Sequence, residues 1–156
     1  MVTHVLFQSG SSEWATPQAV FDDLHHEFAF TLDACASTDN AKLATFYTKD
    51  DDALTQSWSG RVWCNPPYGR TSVGAFLKKA LDEVVNNPNC EVVVFLLPAR
   101  TDTKWFHEFL WDEDGHHPRT RIALRFLRGR LRFGNATASA PFPSCIAVMY
   151  GKKSRA

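Results

Sequence analysis

The chain has 156 residues, 44% hydrophobic and 13% aromatic, which suits one domain around a single core. Its 17 Lys and Arg balance its 17 Asp and Glu, and no apolar run reaches the roughly 18 residues of a membrane span, which excludes a membrane partner. The start, Met1 to Trp14, lacks a basic region and a long apolar stretch and does not read as a signal peptide. Cys35, Cys64, Cys90 and Cys145 form no CxxC pair, so neither a zinc site nor a disulfide framework is indicated and a cytoplasmic protein with reduced thiols is expected.

The neutral balance hides a division. All 17 acids lie in residues 1–114, whereas 115–156 hold nine bases and no acid. Arginines at 119, 121, 125, 128, 130 and 132 make up most of that excess. Such an end can track a phosphate backbone, and half of these arginines can equally be the solvent-facing positions of ordinary strands.

In chain order, Thr16-Pro17 offers a cap and a first-turn proline for a helix over 17–27, with Val20, Phe21, Leu24 and Phe28 on one face. Phe28 to Leu32 reads as a short buried strand ending at Asp33, and Thr38 to Ser59 has little regular pattern. Arg61 to Cys64 is a strand stopped by the prolines of Asn65-Pro66-Pro67-Tyr68-Gly69. Ser72 can cap a helix whose apolar face is Val73, Phe76, Leu77, Ala80, Leu81 and Val84, ending at Asn86-Asn87-Pro88. Glu91 to Leu97 is a continuous apolar strand closed by Pro98, as expected of a strand covered on both faces. Asp102 can cap a helix bearing Trp105, Phe106, Phe109 and Leu110. Ile122, Leu124 and Phe126, then Leu131 and Phe133 beyond Gly129, predict two strands joined by a tight turn. Cys145 to Tyr150 is the last strand. Strands alternating with helices, followed by a β-rich end, indicate an α/β sheet, mostly parallel with an antiparallel edge.

The chemistry concentrates where the second strand ends, the usual place for ligand sites in open α/β sheets. Asn65-Pro66-Pro67-Tyr68 can be a rigid turn and no more, but its place between a buried strand and a long amphipathic helix favours a functional loop. Methylating an aromatic amine requires acceptors around the amino hydrogens, because the nitrogen lone pair is delocalised into the ring. The Asn65 side-chain oxygen and the Pro66 carbonyl are two such acceptors, and Pro66 and Pro67 restrict the backbone and remove competing N–H donors. On this reading Asn65→Asp is a mild change, since a carboxylate keeps the acceptor. Tyr68 offers a face for an extruded base, with its hydroxyl idle. Asp33-Ala34-Cys35-Ala36-Ser37 follows the first strand with side chains small enough for close approach by a ligand, and Asp52 can accept from an adenine amino group. His116-His117 reads as a solvated pair rather than a metal site.

The blocks Glu13-Trp14-Ala15-Thr16-Pro17, Leu32-Asp33-Ala34-Cys35-Ala36, Gly60 through Gly69, Leu97-Pro98-Ala99-Arg100, Leu127-Arg128-Gly129-Arg130-Leu131 and Pro141-Phe142-Pro143-Ser144 together resemble the small phage-type DNA N6-adenine methyltransferases. The resemblance spans most of the chain, and the Asn-Pro-Pro-Tyr-Gly block is its most specific part. It implies a Rossmann-like S-adenosylmethionine-dependent methyltransferase fold with one antiparallel strand. It also implies transfer of a methyl group to N6 of a flipped adenine in DNA, with Asn65, Pro66, Pro67 and Tyr68 as the catalytic loop. Asp33, Ala34 and Cys35 would take the methionine or ribose part of the cofactor and Asp52 its adenine, with Trp14 and Thr16 closing the pocket. From the charge excess rather than the resemblance, Arg128, Arg130 and Arg132 are the residues expected to meet the DNA. The wider class carries a Gly-rich turn after the first strand, and here Ala34, Cys35, Ala36 and Ser37 stand in its place.

Residues 1–156 therefore read as one methyltransferase domain without a separate target-recognition domain, leaving recognition to short insertions near 70–72 and 112–120 or to a second subunit, a dimer included. The Asn-Pro-Pro-Tyr block also fits methylation of RNA adenine or of protein glutamine, and a non-catalytic DNA-binding protein can keep the same fold.

Overall fold

The computed structural model describes residues 14–134 and 138–152. Residues 1–13, which include Glu13 and all but the last residue of the stretch read above for targeting, lie outside them, as do residues 135–137 and 153–156 of the basic end. The protein is a mixed α/β structure with one five-stranded sheet in the order β1-β2-β3-β5-β4. The strands are β1 (Leu32–Asp33), β2 (Gly60–Cys64), β3 (Cys90–Pro98), β4 (Ile122–Phe126) and β5 (Ser144–Tyr150). β1, β2 and β3 are parallel; β5 runs antiparallel to both β3 and β4. Four strands therefore share one direction, and the reversed strand is not at the edge: β5 lies between β3 and β4.

β3 is central, with every residue but Glu91 buried, as its unbroken apolar run requires. Pro98 is its last residue, opposite Ser144, rather than a stop beyond it. Helix α1 spans Gln18–Phe28 and α2 spans Ser72–Asn86. Val73, Leu77, Ala80 and Val84 of α2 are buried, and the helix ends as Asn87 donates its N–H to the Glu83 carbonyl (2.8 Å) just before Pro88. Thr71, not Ser72, holds the capping position of α2, and Pro17 holds that of α1. The Thr16 hydroxyl is occupied elsewhere.

Three further sequence expectations change. The run Phe28 to Leu32 is not one strand: Phe28 ends α1, Ala29 turns through a left-handed φ of 52°, and β1 begins only at Leu32. The helix expected after Asp102 does form, over 104–110, but its last five residues, Phe106–Leu110, are π-helical, and the Phe106 N–H is taken by Thr103 Oγ1 (3.3 Å), not by Asp102. The second strand of the expected 122–133 hairpin does not form. β4 pairs with β5 from Ile122↔Met149 to Phe126↔Cys145, while Phe133 is drawn into an aromatic cluster, where burial outweighs the alternation of Leu131 and Phe133.

The irregular stretch after β1 is firmly held. Asp33 donates its N–H to the Thr45 carbonyl (3.0 Å) and accepts from the Tyr47 N–H (2.9 Å), and two short 3-10 turns follow, Lys49–Asp51 and Ala53–Thr55. Trp58, fully buried, ties this stretch down: its indole donates to the Ala53 carbonyl (2.9 Å) and its N–H to Glu83 of α2 (2.7 Å). Among the described residues no helix is long and apolar enough to cross a membrane, and none of the four cysteines forms a disulfide.

Candidate active site

A cavity of about 740 Å³ opens at the carboxyl ends of β1 and β2. Its wall includes Trp14, Thr16, Asp33, Ala34, Cys35 and Asp52, the six residues expected around a cofactor, together with Asn65 and Pro67. Pro66 and Tyr68 are buried and do not line it.

Asn65 follows β2 directly and turns its amide toward the N-terminal segment. Its Nδ2 donates to the Trp14 carbonyl and to Thr16 Oγ1 (2.9 Å), so both amide hydrogens are committed. A carbonyl faces Nδ2, and the opposite amide orientation would set oxygen against oxygen. Oδ1 is therefore fixed on the other side, buried and without a hydrogen-bond partner among the described residues. An acceptor fully withdrawn from water and left unpaired costs about 1–3 kcal/mol, and such an atom in a cavity wall marks a place built for a donor.

The segment 14–16 is itself braced. The Trp14 ring meets Phe133 and Phe142 edge-on (5.4 and 5.3 Å between centroids), and the Gly134 N–H donates to the Ala15 carbonyl (2.9 Å). Tyr68 completes this aromatic cluster against Phe133 and Phe142. Its ring is 4% exposed and its hydroxyl donates to the Leu96 carbonyl of β3 (3.0 Å). Burial pushes that hydroxyl well above its usual pKa. The open stacking face and idle hydroxyl expected of Tyr68 are thus corrected: its face is covered and its hydroxyl anchors the loop to the sheet.

Asp33 is 2% exposed and accepts from the backbone N–H groups of Lys42 (3.0 Å, to Oδ2) and Cys35 (3.3 Å, to Oδ1). Burial raises its carboxyl to about 6, opposed by those two hydrogen bonds and the nearby Lys42 charge. Asp33 thereby shapes the loop that stands where a Gly-rich turn is usual, and it keeps an anionic group in the cavity wall above pH 6. Asp52 is exposed, with a left-handed φ of 54° between the two 3-10 turns. Sequence reasoning missed Trp63 and Phe76 as wall residues. Spacing pointed to both: Trp63 stands two residues before Asn65 along β2, and Phe76 one helical turn after Ser72, another wall residue.

The basic end divides as well. Arg125 forms a two-pronged pair with Glu27 (2.7 and 2.6 Å), Arg119 donates to the His107 carbonyl (2.7 Å), and Arg121 donates to the Tyr150 carbonyl (3.4 Å). Arg128, Arg130 and Arg132 are exposed and make no hydrogen bond or ion pair among the described residues. His117, also exposed, places Nε2 3.6 and 3.5 Å from Asp112 and Asp114. The Pro118 carbonyl, then the two carboxylates, raise its pKa.

Two relatives carry parts of this sequence. A DNA N-6-adenine-methyltransferase of Haemophilus phage HP1 (strain HP1c1) is 37% identical over 103 residues, 64% of this chain and 57% of that protein. The chain thus spans little more than half the phage protein's length. The protein YfdM of Escherichia coli (strain K12) is 38% identical over 73 residues, 42% of this chain and 79% of its own. Residues 5–147 match the sequence profile described as DNA N-6-adenine-methyltransferase (Dam), a match that takes in the cavity, the Asn65 loop and the aromatic cluster. The chain belongs to the DNA N-6-adenine-methyltransferase (Dam) family.

Proposed function

We propose that this protein transfers a methyl group from S-adenosylmethionine to N6 of adenine in DNA, on a Rossmann-like methyltransferase fold. The observation that carries the reading is Asn65 Oδ1, a buried acceptor with no partner among the described residues, at the end of a strand where an amine must be aligned. Family membership and the relative's name support DNA adenine as substrate. Four strands in one direction with one reversed, as the resemblance implied, support the fold.

The donor set fits the cofactor. A cavity of about 740 Å³ lies within the range of small-molecule sites, about 300–1,000 Å³. Asp33, Asp50 and Asp52 give acidic surface for a cationic ligand and its ribose, and Ala53, Leu54 and Phe76 give apolar surface for a purine. The bound cofactor supplies an electrophilic methyl group carried on a sulfonium. The chain's own groups prepare the amine: Asn65 Oδ1 accepts one amino hydrogen and the Pro66 carbonyl the other, which turns the nitrogen lone pair out of the ring plane. Pro67 stiffens the loop between them, and Tyr68 holds it to β3. The adenine leaves the base stack to reach this loop. The described residues act as one methyltransferase domain, with recognition carried by short insertions or a second subunit.

Incubation with methyl-labelled S-adenosylmethionine and DNA, RNA or protein, followed by digestion, tests the activity. Label in N6-methyladenine from DNA is expected. Label in RNA adenine or in glutamine would replace the substrate, and DNA binding without any transfer would leave a non-catalytic binder.

Arg128, Arg130 and Arg132 are the arginines of the block left for phosphate. Each one neutralised should lower the slope of log affinity for DNA against log salt by about one. Neutralising Arg125, already paired with Glu27, should leave the slope nearly unchanged. A slope indifferent to residues 128, 130 and 132 would make them ordinary solvated side chains.

A further inference from the structure

The amino-methylation reading assigns Asn65 a task but does not say what aims its amide. A free asparagine side chain samples two amide orientations, and only one presents oxygen to a substrate amine. Two groups from the same short segment select it. The Trp14 carbonyl accepts one hydrogen of Nδ2, and Thr16 Oγ1 accepts at 2.9 Å. Thr16 is itself 7% exposed, so water does not compete for its oxygen. It does not cap α1 either, although it sits just before that helix: the capping position falls on Pro17.

We propose that Thr16 is a positioning residue, whose hydroxyl oxygen, with the Trp14 carbonyl, holds the Asn65 amide so that Oδ1 is the atom presented to the substrate amine. The inference rests on the amino-methylation reading. Its physical content is that an acceptor fixed before the amine arrives needs no reorganisation during the reaction, which is where electrostatic preorganisation acts. The segment is held in turn by the connection between β4 and β5: the Trp14 ring lies against Phe133, and the Gly134 N–H binds the Ala15 carbonyl. The Asn65 amide is thus set by contacts from two distant parts of the chain.

The test compares Thr16→Val, which keeps the shape and removes the acceptor, with Thr16→Ser, which keeps the acceptor. Because Thr16 also lines the cofactor cavity, the decisive rate is kcat at saturating S-adenosylmethionine. Thr16→Val should lower it by about tenfold, the effect of one lost hydrogen bond of typical strength, and Thr16→Ser should recover most of it. If Thr16 is only cavity wall, Thr16→Val raises the cofactor KM and saturation restores the wild-type kcat, which overturns the proposal. A second readout needs neither cofactor nor turnover. In the protein alone, the Asn65 side-chain amide hydrogens should exchange slowly in the wild type and in Thr16→Ser, and faster in Thr16→Val. Wild-type exchange as fast as that of an exposed asparagine would overturn the proposal even if Thr16→Val did not fold. A wild-type protein whose Asn65 amide is protected but which methylates no amine would remove the functional reading instead, and this inference with it.

Discussion

Asn65→Ala should lower turnover by a factor of about a hundred or more while leaving cofactor binding nearly intact, since the loss of a preorganised transition-state contact costs roughly 3 kcal/mol. The alanine removes a buried side-chain acceptor that has no partner among the described residues, from a residue that lines the cavity. Single-turnover methyl transfer and calorimetric titration with S-adenosylmethionine separate the two effects, and near-normal transfer would sink the amino-methylation reading. The structure reverses the expectation for Asn65→Asp. A carboxylate keeps an acceptor but cannot donate to the Trp14 carbonyl or to Thr16 Oγ1, and it sets a negative oxygen against that carbonyl. Asn65→Asp should therefore be about as impaired as Asn65→Ala. An aspartate variant of near wild-type rate would show that the donor half of the amide is dispensable.

Tyr68→Ala should lose about 3–5 kcal/mol of stability, the range for truncating a large buried aromatic. In a chain of this length that corresponds to a melting temperature lower by roughly 10 °C. The reason is position: the ring closes a cluster with Phe133 and Phe142, and the hydroxyl is fixed to Leu96 of β3. Tyr68→Phe should keep the packing and cost about 1 kcal/mol, the worth of one hydrogen bond. A calorimetric scan measures both. A Tyr68→Ala protein as stable as wild type but slow in transfer would return the residue to the stacking role first expected of it.

The elements legible in the sequence were those whose own pattern settles their structure. β2, α2, β3 and β5 lie within a residue or two of their expected bounds. A continuous apolar run, a helical repeat of apolar positions and a pair of prolines each leave few alternatives. For the same reason the pattern puts the loop from Asn65 to Tyr68 at a strand end and the small side chains of Ala34, Cys35 and Ala36 where a ligand can approach, and all three line the cavity.

Tertiary structure decided what depends on residues distant in the chain. The run Phe28 to Leu32 carries the composition of a strand, but the left-handed turn at Ala29 divides it. Leu131 and Phe133 alternate like a strand, yet they do not pair with the open outer edge of β4, and Phe133 is buried instead against Trp14 and Tyr68. Arginines equal in the sequence separate once partners are known: Glu27, 98 positions away, claims Arg125, and among the described residues nothing comparable claims Arg128. Most of all, the sequence by itself names Asn65 but not the direction of its amide. That direction comes from Trp14 and Thr16, 51 and 49 positions earlier. A side-chain amide has two nearly equal orientations, and only the chemical identity of its neighbours in space distinguishes them.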